Sequence, residues 1–67
     1  MVAERLKKCR KYKNVTQREV AEQIGVTVSS YQKYELSARD PSYEILIKLA
    51  DYFDVTTDYL LGRTDTF

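Results

Sequence analysis

Apolar residues recur along the chain at helical spacing, in five short blocks separated by polar punctuation. The first block, Val2, Leu6 and Cys9, forms one stripe and predicts a helix over residues 2–12. Asn14 follows it, a residue that tolerates the left-handed backbone on which helices often end. Thr16-Gln17-Arg18-Glu19 then reads as a capping box, in which the Thr16 hydroxyl and the Glu19 carboxylate satisfy amide donors at a helix start. Behind it Val20, Ala21 and Ile24 share a face, and Ala21 is small enough to let another helix approach closely. Gly25 supplies the positive φ that stops this second helix.

Val26 is the apolar residue of the turn, and Thr27 caps a third helix over residues 28–36. Tyr31 and Tyr34 share its inner side, whereas Val28, Ser29, Gln32 and Lys33 fall on the opposite one. Apart from Val28 that outer face is short-chained and polar. It looks chosen for contact, the other reading being an ordinary solvated helix face. Residues 37–41 form a loop, and Ser42 after Pro41 caps a fourth helix. Ile45, Leu46, Leu49, Ala50 and Phe53 make the widest apolar stripe in the chain, which marks the central core helix. Thr56 caps a short fifth helix over residues 57–61, with Asp58 near its positive end, and Gly62 stops it. The pattern predicts an all-α domain over residues 1–62, with a helix-turn-helix unit at 16–36 and a flexible tail at 63–67.

A chain of 67 residues supports a single domain that buries only ~60% of its unfolded surface, which favours helices joined by short turns. One cysteine and no histidine exclude an intrachain disulfide and a Cys/His zinc site, and no cofactor or small-molecule effector is implied. Cys9 lies on a core stripe as a small hydrophobe, and a reduced thiol suits the cytosol. No apolar run reaches the ~20 residues that span a bilayer, and no signal-peptide core is present, so a soluble cytoplasmic protein is expected. Asp51, Asp54 and Asp58 straddle a helix end as solubilising and capping residues do, which argues against an enzyme.

Net charge is +1, but it is unevenly spread. Residues 1–39 carry nine Lys/Arg against four Glu, and residues 40–67 carry two against six acids. A basic half holding the helix pair fits a polyanion-facing surface, although Arg5 to Lys13 also reads as the solvated side of the first helix.

These residues together resemble the Cro/phage-repressor type of helix-turn-helix domain, the XRE family. The likeness runs through Arg10, Thr16-Gln17, Ala21, Gly25-Val26, Tyr34-Glu35, Pro41-Ser42, Leu49-Ala50-Asp51-Tyr52-Phe53 and Asp58-Tyr59-Leu60-Leu61-Gly62. It implies a compact five-helix, lambda-repressor-like fold in which helix 3 enters the major groove of double-stranded DNA. By resemblance Val28, Ser29, Gln32 and Lys33 face base edges, and Gln17, Thr27 and Arg39 hold the backbone. Gln17 also reads as a plain first-turn helix former. Arg10 and Glu35 resemble the family's ion pair between helix 1 and the end of helix 3.

The chain departs from the family in having Tyr31, whose ring and hydroxyl must be housed, and Ser37 where Gly is common, at ~1 kcal/mol of strain if φ is positive. The expected function is a transcriptional regulator, a repressor that binds a palindromic operator as a homodimer. Tyr59, Leu60 and Phe67 are candidate dimer contacts, with Leu60 equally suited to the monomer's own core. A different class of function, a protein-interaction module such as an antitoxin, would use the same helix face.

Overall fold

The computed structural model describes residues 2–65, which form five helices and no strand. They are α1 (Val2–Lys13), α2 (Gln17–Ile24), α3 (Val28–Glu35), α4 (Tyr43–Phe53) and α5 (Thr57–Leu60). All five predicted helices are present. α1 runs one residue further than expected, while α3 and α5 each stop one residue earlier, with Leu36 and Leu61 as their caps.

Local side chains decide where these helices start. Thr16, Thr27, Ser42 and Thr56 each sit in extended backbone and accept a hydrogen bond from the amide three residues on. At α2 the reciprocal half is also made, since the Thr16 amide donates to Glu19 Oε1 at 3.1 Å.

The helix ends share a single device. After each helix one residue turns left-handed: Asn14, Gly25, Ser37, Asp54 and Gly62. The next amide then reaches back five residues, as in Val26 N to Ala21 O at 3.0 Å and Ala38 N to Lys33 O at 2.9 Å. This closing bond satisfies carbonyls that the helix leaves open. Only two of the five positions are glycine, so Asn14, Ser37 and Asp54 hold a backbone that L residues disfavour.

The apolar stripes meet in one core. Leu6, Val20, Ala21, Tyr31, Leu49 and Leu60 are fully excluded from solvent, and Cys9, Ile24, Leu46, Ala50 and Tyr59 nearly so. α2 lies against both α3 and α4, and α1 crosses α3, α4 and α5. Tyr31 and Tyr34 pack edge to face, with ring centroids 6.3 Å apart at 89°, a geometry that suits the aromatic quadrupole. Ile45, placed on the core stripe by its spacing, is only half-buried.

Arg5 of α1 reaches the first residues after α5. Arg5 Nη1 donates to the Thr64 carbonyl at 3.0 Å, Nη2 donates to Asp65 Oδ1 at 2.9 Å, and the guanidinium lies 4.3 Å from the Tyr59 ring centroid. Phe67, named above as a candidate dimer contact, lies outside the described residues.

Candidate nucleic-acid interface

Three residues, Gly25 to Thr27, separate α2 from α3 and fix how the two helices cross. Gly25 at φ 78° reverses the chain, and Val26, half-buried, packs against the core behind the turn. α3 is then anchored from one side only. Its inner residues Tyr31, Tyr34 and Glu35 are buried, while Ser29, Gln32 and Lys33 are exposed on the other side.

The residues expected to meet nucleic acid lie around this helix, with unequal reach. Thr27 is exposed at the N-cap and Arg39 is exposed in the following loop. Val28 is half-buried and packs against the core, so only part of it remains available. Gln17 at the start of α2 is also half-buried, and its side chain bridges to α3.

Behind the exposed face lies a polar network. Arg10 Nε donates to Glu35 Oε2 at 2.8 Å and Arg10 Nη2 donates to Oε1 at 3.2 Å, a bidentate ion pair that ties α1 to the end of α3. Glu35 is 3% exposed. Burial alone would push its carboxyl pKa up, but the bonds from Arg10 and Gln17, with the Tyr31 hydroxyl close by, outweigh it and hold it below the usual carboxylate range. The Tyr31 hydroxyl, whose housing the sequence left open, sits buried against this carboxylate without a hydrogen bond of full geometry. Burial and then the neighbouring charge push its pKa far up, so it stays protonated.

The network continues outward. Gln17 Nε2 donates to Glu35 Oε1 at 3.1 Å, and Gln32 Nε2 donates to Gln17 Oε1 at 3.3 Å. Ser30 is a participant that the sequence reading did not single out. Its Oγ accepts from Thr27 Oγ1 at 3.0 Å and from Arg39 Nη1 at 3.4 Å, so it leashes the loop arginine to the first turn of α3. A serine three residues after a capping threonine was the available signal.

Two candidate dimer contacts move inside. Tyr59 is 1% exposed and Leu60 is fully buried, because α5 presses both against α1 and α4. They belong to the monomer's core and cannot meet a partner without unfolding α5. None of the helices is long and apolar enough to cross a membrane, among the described residues.

Comparison with known proteins supports the same architecture. Residues 6–60 match the family described as Helix-turn-helix. A Bacillus subtilis relative, the uncharacterized HTH-type transcriptional regulator YqaE, is 48% identical over 61 residues, which are 91% of this chain and 53% of the relative. The cryptic phage CTXphi transcriptional repressor RstR of Vibrio cholerae is 42% identical, over 97% of this chain and 58% of its own length. The chain thus spans about half the length of the curated relatives it matches. Among solved structures, the P22 c2 repressor in complex with a synthetic operator superposes with a TM-score of 0.85 at 27% identity, over 90% of this chain and 91% of the repressor chain. On the match across α1 to α5 and the identity to these regulators, the chain belongs to the XRE-type helix-turn-helix family.

Proposed function

We propose that this chain is the DNA-binding part of a transcriptional regulator, most simply a cytoplasmic repressor, that lays α3 in the major groove. The observation that carries the reading is the one-sided anchoring of α3: a buried inner face holds the helix rigidly while Ser29, Gln32 and Lys33 project outward. The related P22 c2 repressor, solved on operator DNA, supports it.

In this reading Ser29, Gln32 and Lys33 meet base edges, and the exposed part of Val28 touches a thymine methyl. Gln17 retains one amide proton beyond the bond to Glu35, which suits a phosphate oxygen. Thr27 and Arg39 add backbone contacts at the front of α3. Arg10 and Arg5 take no part, since one is bound to Glu35 and the other to Asp65. With Lys33 given to base edges, Arg39 is the cation this reading leaves for phosphate at the front of α3. A single module of this kind covers few base pairs, so a homodimer on a two-fold operator with half-sites ~34 Å apart completes the proposal.

Selection from a random duplex pool tests it. Enrichment of an inverted repeat, with binding that weakens as salt rises, is the expected result. Absence of any enriched sequence, with capture of a protein partner instead through the α3 face, sinks it.

A further inference from the structure

We propose that the cavity between the last turns of α1 and the turn from α4 into α5 binds a small zwitterion, a free apolar amino acid of about the size of leucine. The cavity holds about 350 Å³ and is lined by Cys9, Tyr12 and Lys13 of α1 and by Phe53, Asp54 and Val55. None of these residues takes part in the α3 interface. The volume lies at the small end of the ~300–1,000 Å³ of ligand sites, which share mainly apolar and aromatic walls with a few polar groups.

The walls are mostly apolar. Phe53 is buried, and Val55 is half-buried and packs against the core. Cys9 is buried as well, and burial pushes its thiol pKa up, so it stays neutral and adds apolar surface. Tyr12, 82% exposed, forms the rim. The polar groups are two opposite charges that face the same space without pairing with each other, Lys13 and Asp54. The Lys13 ammonium lies instead 4.9 Å from the Tyr52 ring centroid, a weak hold at an exposed site. Asp54 is fixed by its backbone, since it turns left-handed to end α4 and its amide is tied back to the carbonyls of Ala50 and Asp51.

These charges choose the occupant. A neutral apolar molecule would cover both of them without offering a partner. A singly charged one would meet an attraction and a repulsion together. An amino acid gives its carboxylate to Lys13 and its ammonium to Asp54, while its side chain lies against Phe53, Val55 and Cys9.

The test titrates the full chain, without DNA, with L-leucine and follows the backbone amide signals by nuclear magnetic resonance. Saturable shifts centred on the cavity residues are expected, with half-saturation at about 1 mM or below. Isoamylamine and isocaproate, which are leucine without its carboxylate and without its amino group, should each bind about tenfold more weakly. No saturable shift with leucine up to about 10 mM overturns the proposal. So does binding of either analogue as tightly as leucine, which reduces the cavity to an apolar depression. Both results are read on the unaltered protein, so neither depends on the folding of a variant.

Asp54→Asn and Lys13→Met supply the second measurement. Asparagine holds the left-handed turn as aspartate does, and methionine keeps the apolar stem of lysine, so both should give the dispersed spectrum of the folded chain. Each should lower leucine affinity about tenfold. Unchanged affinity in both overturns the assignment of the two charges. Every readout is made without DNA, so failure here leaves the DNA-binding reading standing.

Discussion

The two faces of α3 are built by different rules, although they share eight residues. The inner face is specified by shape: Tyr31 is wholly buried, Tyr34 packs against its ring, and both fill the space between α1 and α2. The outer face is exposed, and apart from the bond of Gln32 to Gln17, packing places no demand on Ser29, Gln32 or Lys33. Inner residues answer to stability and outer residues to a ligand. Glu35 joins the two, being buried like an inner residue and connected through Gln17 to Gln32.

The largest expected effect tests the inner rule. Tyr31→Ala removes a fully buried ring and should cost about 3–5 kcal/mol, most of what a domain of this size has in reserve. Denaturant melts should show a largely unfolded protein at physiological temperature. A loss of only a few tenths of a kcal/mol would erase the distinction between the faces.

Glu35 comes next. Glu35→Ala leaves Arg10 and Gln17 without their acceptor, and with Arg10 partly open to water the cost should be about 2 kcal/mol. DNA affinity should fall with it. Acid offers a gentler version of the same lesion. Because the folded carboxyl pKa lies below its unfolded value, the stabilisation is complete above about pH 4.3 and is lost as pH falls through the folded value. Thermal melts of the unaltered protein should therefore decline through that window. In Glu35→Gln the decline should be shallower, because one of the carboxylates responsible is gone.

The outer rule predicts the converse behaviour. Lys33→Ala should change stability by no more than about 0.5 kcal/mol while weakening binding to the selected duplex by about 1–3 kcal/mol. Parallel melting and binding titrations decide it. A variant that melts early would show that Lys33 supports the fold after all.

Much of this architecture was legible in the sequence because it is local. Thr16, Thr27, Ser42 and Thr56 cap helices through bonds to residues three positions away, so type and spacing suffice to find them. Asp54 was read only as one of three solubilising and capping carboxylates at a helix end, and its left-handed φ of 57° was not legible because an aspartate there reads equally as surface charge. Tyr59 and Leu60 illustrate a second limit. A four-residue helix has too little periodicity to say which side faces in, and only packing against α1 and α4 decides.

The outward face was readable as a face, but its wiring was not. Gln17 and Gln32 stand fifteen positions apart, and their contact depends on the angle that Gly25 and Val26 impose between α2 and α3. Ser30 escaped for a related reason. On paper it is one more small polar residue in α3, and its link to Arg39 exists only once the loop folds back.

The smallest effect concerns the residue that ends α3 and so terminates both faces at once. Ser37 holds φ 60°, where an L residue pays roughly 1 kcal/mol that glycine does not. Glycine in turn gives the unfolded chain more freedom, which returns about half of that gain. Ser37→Gly should thus raise stability by only about 0.5 kcal/mol, or a few degrees in melting temperature for a domain this small. The closing bond from Ala38 N to Lys33 O needs the same left-handed turn and should persist. The position of Arg39, and with it DNA affinity, should be unchanged. A drop in stability would mean that the Ser37 side chain contributes something more than the strain it carries. A change in affinity at constant stability would mean that the exit of α3, and not only its outward face, is tuned for the ligand.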